Sequence, residues 1–227
     1  MVRYELVGNE TAEKRPLTIF MDKTRFYSGL SPLDFDDIRE LGRGSFGTAT
    51  LVRASDNGSA EALSRSELCA GRLYVLKAVN IAELRTQKAR EQAHAELEVL
   101  SRLRHPHVVA YHGAYLHEQH LNIVLEYADA GDLADAIKDA KSSGRSFTPS
   151  LVAEWLAQLA SALEYVHSMK VIHRDLKTSN VLLVAQDDAP PLLKVADFGI
   201  ARQMSRTASL ATTVVGTPYY MVSKHSE

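Results

Sequence analysis

His173-Arg174-Asp175-Leu176-Lys177-Thr178-Ser179-Asn180, followed 22 residues after Asp175 by Asp197-Phe198-Gly199, is the stretch on which the reading of this chain turns. Taken singly, an Asp or Asn in a polar loop is a turn former. The joint spacing of Asp175, Asn180 and Asp197 is what overturns that reading. Upstream, Thr148-Pro149 reads as an N-cap and first-turn pair. Val152, Trp155, Leu156, Leu159, Leu163 and Val166 then recur at helical spacing. Downstream, Val181-Leu182-Leu183-Val184 and Leu192-Leu193-Lys194-Val195 read as short strands around an Asp-Asp-Ala-Pro-Pro turn.

The first half of the chain reads differently. Residues 35–53 are two extended segments around Gly42-Arg43-Gly44-Ser45-Phe46-Gly47, a hairpin whose glycines let backbone approach phosphate closely. A dinucleotide-binding turn would open a helix here, but Thr48-Ala49-Thr50-Leu51-Val52 continues as strand, so that reading fails. Residues 54–71 are rich in Ser, Ala and Gly and read as a long surface loop holding Cys69. Leu73–Val79 reads as a strand. Residues 82–103 read as a helix with a stripe of Leu97, Leu100 and Leu103, ended by His105-Pro106. Val108–Tyr115 and Leu121–Tyr127 read as two further strands, and no internal repeat appears.

Composition limits the alternatives. The 227 residues are 45% hydrophobic and 24% charged, which excludes disorder throughout. Twenty-six basic and 28 acidic residues give a net charge of −2, so no overall field draws the chain to nucleic acid or to an anionic membrane. One cysteine permits no intrachain disulfide and fits a reducing compartment. The N-terminus carries charge where a secretory signal needs an apolar core, and no apolar run approaches the roughly 18 residues of a membrane span. Among nine histidines, His107, His112, His117 and His120 lack a convincing ligand pattern and read as surface or core imidazoles.

In this order, glycine-rich loop, strand lysine, catalytic loop and Asp-Phe-Gly, the chain resembles a eukaryotic-type protein kinase from about Phe35 to Met221. Lys177 in the loop resembles the serine/threonine branch. Gly216-Thr217-Pro218-Tyr219-Tyr220-Met221, Leu125-Glu126-Tyr127 and Gly131-Asp132-Leu133 resemble the NIMA-related kinases. The resemblance implies an α+β, two-lobed fold with an antiparallel β small lobe carrying one main helix. The expected organisation is an N-terminal extension at 1–33 and a kinase domain at 34–227. Its small lobe spans 34–127 with an insert at 54–71, its hinge about 126–131, and an incomplete helical large lobe 132–227.

The resemblance also implies roles. Lys77 would contact the α- and β-phosphates of ATP and pair with Glu96 on the following helix. Glu98 is the alternative, but two residues apart on a helix face different ways. Asp175 would orient the substrate hydroxyl and accept its proton, with Lys177 and Asn180 beside it. Asn180 and Asp197 would hold Mg2+. The nucleotide would lie among Leu41, Gly42, Arg43, Gly44, Ser45, Phe46, Gly47, Ala49, Val75, Lys77, Glu126, Ala128 and Leu182, with Leu125 as gatekeeper. The family usually has valine and alanine where this chain has Ala49 and Val75, which reads as a volume exchange across one apolar roof. It is tested by nucleotide affinity of Ala49→Val, Val75→Ala and the double change, where lack of mutual rescue contradicts it.

Arg174 implies control by phosphorylation of the activation segment, where Thr213 matches the regulatory threonine. An upstream kinase or autophosphorylation would supply the phosphate. A Thr213→Ala chain with undiminished transfer contradicts that role. Thr217 fits a contact to the catalytic loop instead. After Met221 the family continues through a Pro-Glu motif and further helices, whereas this sequence reads Val222-Ser223-Lys224-His225-Ser226-Glu227. The expectation is a chain truncated after the activation segment, with Trp155, Leu159 and Leu163 partly exposed. Two functions follow: a serine/threonine kinase acting on protein hydroxyls with Mg-ATP, or a catalytically impaired nucleotide-binding or interaction module. Cytoplasm is the default location, with cytoskeletal or nuclear association as alternatives. Neither nucleic acid nor membrane is an expected partner.

Overall fold

Alternation along Leu73–Asn80 explains how the small lobe is built, because successive side chains of a strand leave on opposite faces. In the computed structural model, residues 29–44, 47–83, 97–173 and 175–198 are described. Strands β1 (Phe35–Gly44), β2 (Gly47–Ala54), β3 (Leu73–Asn80), β4 (Tyr111–His117) and β5 (His120–Glu126) form one antiparallel sheet in the order β1-β2-β3-β5-β4. Register sets Ala49 opposite Lys77, Leu51 opposite Val75, and Val75 opposite Leu125. Val75 and Lys77 therefore share the face that lines the cleft, while Tyr74 and Leu76 leave from the other.

That outer face is sealed by residues expected to be a loop. Helix α1 (Ala60–Arg65) lies within 54–71. Leu63 and Leu68 join Leu30, Phe35, Val52, Ala54, Tyr74, Tyr115 and Val124 in one buried cluster. The buried Asp34 carboxylate ties the pieces together, accepting from the Ser59 amide at 2.6 Å and the Ser31 amide at 2.7 Å. The surface-loop expectation for 54–71 is thus corrected: apolar surface on the sheet's back recruits the two leucines. Cys69 is exposed as expected, its amide donating to Tyr74 Oη at 2.9 Å. Leu30 is also buried, so packing begins ahead of the expected boundary at 34.

Helical turns at 97–102 (α2) precede β4. The large lobe opens with α3 (Leu133–Ser142), a helix the sequence reading did not place; Asp132 caps it by accepting from the Asp135 amide at 2.9 Å. Helix α4 (Pro149–Ser168) begins where Thr148-Pro149 indicates, with Thr148 Oγ1 accepting from the Leu151 amide. Strands β6 (Val181–Gln186) and β7 (Ala189–Val195) form a second sheet of two strands. Their turn is tighter than the expected five residues. Asp187-Asp188 suffices because Asp188 takes a positive φ of 55°, a conformation that aspartate tolerates.

Trp155 is not left open, as expected, but is 7% exposed and donates from Nε1 to the Pro191 carbonyl at 2.9 Å. Leu159 and Leu163 are half-buried, and the open apolar side chains of α4 are Val152 and Leu156. Among the described residues no helix is long and apolar enough to cross a membrane.

Candidate active site

Between the lobes lies a cleft of about 950 Å³. Of the residues singled out in the sequence, Leu41, Gly42, Arg43, Gly47, Ala49, Val75, Lys77, Leu125, Glu126, Ala128, Asp175, Asn180, Leu182 and Asp197 line it together. Lys177 does not line the cleft but reaches Asp175 Oδ2 at 3.2 Å. Ser45, Phe46, Glu96, Arg174 and Thr213 lie outside the described residues, as does the Lys77–Glu96 pairing. Glu98, the alternative partner, instead forms an ion pair with Arg102 one helical turn on.

The glycine positions do different work. Gly47 has φ +137°, and a Cβ there would run into the Ala78 carbonyl oxygen on β3, so the hairpin needs glycine to close. At Gly42 an added Cβ would meet nothing within 4 Å. The fold leaves that space open beside the cleft.

Lys77 Nζ forms an ion pair with Asp197 Oδ1 across the cleft. Asp197 sits at φ +60°, a sparsely populated conformation for a residue with a Cβ. Its neighbours fix it there. Phe198 packs among Leu103, Val108, Ala162, Val166 and Val195, against the His173 ring 4.8 Å away. Asn180, 7% exposed, donates from Nδ2 to the Asp175 carbonyl at 2.8 Å and to Asp175 Oδ2 at 3.2 Å. Its amide is thereby oriented, and its Oδ1 remains as an oxygen donor. With the Asp197 carboxylate this makes a hard-oxygen pair whose chemistry fits magnesium.

His173 was read as part of a motif without a role of its own. In the structure its Nε2 hydrogen-bonds the Ala196 carbonyl at 2.7 Å, and its Nδ1 accepts from the Asp175 amide at 3.3 Å. A carbonyl can only accept, so Nε2 carries the proton and the ring is neutral. Burial lowers the His173 pKa below its ordinary 6.5, outweighing the Ala196 hydrogen bond and the Asp197 and Asp175 charges, which raise it. The neutral ring thus links the two aspartate segments. Val109 and Ser179 also line the cleft and were not foreseen. Neither residue type carries a chemical signal that marks it in a sequence.

Comparison with known proteins identifies the family. Residues 35–224 match the model of the protein kinase domain. The chain is 37% identical over 183 residues to serine/threonine-protein kinase Nek11 of Homo sapiens, covering 81% of this chain and 26% of that protein. It is 36% identical over 188 residues to the probable serine/threonine-protein kinase nek3 of Dictyostelium discoideum, covering 82% of this chain and 15% of the relative. Against Nek4 of Mus musculus the identity is 37% over 187 residues, covering 81% and 21%. The chain therefore spans about a quarter or less of the length of these curated relatives. With its two-lobed α+β architecture and the match over 35–224, the chain belongs to the protein kinase domain family, and its similar relatives are the NIMA-related kinases.

Proposed function

We propose that the chain transfers the γ-phosphoryl group of Mg-ATP to serine or threonine hydroxyls of protein substrates. The observation that carries the proposal is the convergence of Lys77, Asp175, Asn180 and Asp197 on one cleft, beside the apolar Ala49, Val75 and Leu182. Phosphoryl transfer needs little covalent chemistry from a protein, so positioning and charge supply most of the acceleration. The substrate hydroxyl oxygen forms a bond to the γ-phosphorus as the bond to the β–γ bridging oxygen breaks. ADP leaves with that electron pair.

Asp175 takes the hydroxyl proton; Asn180 Nδ2 fixes where its carboxylate points, and the His173 ring holds its backbone amide. Lys177, 3.2 Å from that carboxylate, places a cation beside the reacting groups. Lys77 exchanges its Asp197 partner for the α- and β-phosphates. Asn180 and Asp197 would hold Mg2+, which neutralises phosphate charge when bound. The hydroxyl specificity follows the relatives, whose names are those of serine/threonine kinases.

The test is transfer from ATP labelled in the γ-phosphate to a generic protein substrate. Asp175→Asn is expected to lower the rate by about 100- to 10,000-fold. Transfer unaffected by Asp175→Asn, or label found only on tyrosine, contradicts the proposal.

A further inference from the structure

The stretch that leads out of β5 and the strand that leads into Asp197 come from different lobes, so a ligand that spans both feels the spacing between them. Glu126 ends β5, and Asp197 stands two residues past the end of β7. One oxygen joins these regions. Glu126 Oε2 accepts from the Ala110 amide at 3.1 Å and meets Lys194 Nζ of β7 at 2.9 Å. The side chains are 18% and 12% exposed, enclosed enough that solvent screens the pair weakly.

Backbone bonds close the same junction. The Glu126 amide donates to the Ala110 carbonyl at 2.9 Å, the Val109 amide to Val195 at 3.0 Å, and the Val195 amide to His107 at 2.9 Å. These bonds hold 107–110 against each neighbour separately. The Glu126–Lys194 pair is a side-chain link that spans from β5 directly to β7. Lys194 does not line the cleft, so it acts through Glu126 and β7 rather than on a ligand.

We propose that Lys194 and the Glu126 carboxylate are positioning residues, whose ion pair sets the spacing between the hinge backbone and Asp197 and so the affinity for a nucleotide that reaches both. The inference rests on the reading of the cleft as an ATP site. Adenosine engages the hinge side alone, whereas Mg-ATP also engages Lys77, Asn180 and Asp197. Altered spacing leaves the first untouched and weakens the second. A purely structural role for the pair would lower stability and move both affinities together.

The experiment measures dissociation constants of the purified chain for adenosine and for Mg-ATP, with Lys194→Met, Lys194→Gln and Lys194→Arg beside the wild type. Lys194→Gln keeps a hydrogen-bond donor for the half-buried carboxylate and guards against a Met variant that fails to fold. Wild type is expected to bind both ligands. Lys194→Met and Lys194→Gln should bind Mg-ATP roughly tenfold more weakly with adenosine affinity unchanged, and Lys194→Arg should restore Mg-ATP binding. Parallel loss of both affinities, or no loss of either, overturns the positioning role while leaving the ATP site standing. A wild type that binds neither ligand overturns the ATP reading and this inference with it.

Discussion

The two faces of the small-lobe sheet are made from the same strands and do opposite jobs. On β3, Tyr74 and Leu76 face a sealed cluster completed by Leu63 and Leu68 of the insert, whereas Val75 and Lys77 face an open cleft. Burial of apolar surface favours the folded state and asks only for volume and shape. The cleft instead keeps Lys77, Asp175, Asn180 and Asp197 around one unfilled space. The outer face should govern stability and the inner face chemistry, with substitutions on one leaving the other's readout in place.

The largest effect is expected on the inner face. Lys77→Met should lower the rate of phosphoryl transfer by about 100- to 1,000-fold, the scale of losing one preorganised electrostatic contact. Its melting temperature should stay near that of wild type, because the Asp197 end of the pair is half open to solvent. A Lys77→Met chain that melts far below wild type would break the division between the faces.

Next comes the outer face. Leu63→Ala should lower unfolding free energy by about 3 kcal/mol, since it leaves a void in the buried cluster that holds Phe35, Tyr74 and Tyr115. Denaturant titration measures it. A loss under about 0.5 kcal/mol would return 54–71 to the status of a surface loop.

The two glycines sharpen the contrast within one hairpin. Gly47→Ala should lose about 2 kcal/mol, through its positive φ and the Ala78 carbonyl in its way. Gly42→Ala should unfold within about 0.5 kcal/mol of wild type. Its effect belongs to Mg-ATP affinity, because the added methyl enters space that only a ligand would use.

The smallest effect is with pH. Burial lowers the pKa of His112, which packs edge-on against Tyr74 on the outer side, and of His173 at the site. A folded-state pKa below the ordinary 6.5 means that the stabilising contribution is complete above 6.5. It is lost as pH falls through the lower folded value. Melting temperature should therefore fall as pH drops below 6.5, and His112→Gln should remove only the outer face's share of that slope. A melting temperature that rises on acidification contradicts both assignments.

How much of this was legible in the sequence follows the same division. Asp175, Asn180 and Asp197 were legible because the resemblance to protein kinases ties those residue types to those spacings, and the fold brings the three to one cleft. Strand β3 and the Thr148-Pro149 start of α4 were legible because their signals are local. Helix α1 was not, because its six residues are too short to show a period. The burial of Leu63 and Leu68 depends on a sheet face assembled from distant strands. Trp155 read as partly exposed because the family's later helices were expected to cover it, whereas its partner, the Pro191 carbonyl, comes from β7, 36 residues on. His173 read as a motif letter because its role rests on two hydrogen bonds that only the folded chain makes.

The separation of the faces is tested most directly by the rise in melting temperature that Mg-ATP produces, measured for wild type, Lys77→Met and Leu63→Ala at one ligand concentration. Ligand that binds only the folded state raises its stability in proportion to the logarithm of one plus the ratio of ligand concentration to Kd. Leu63→Ala is expected to melt lower than wild type yet show the full nucleotide-induced rise, and Lys77→Met to melt near wild type with the rise lost. A rise that disappears in Leu63→Ala, or survives intact in Lys77→Met, would contradict the account.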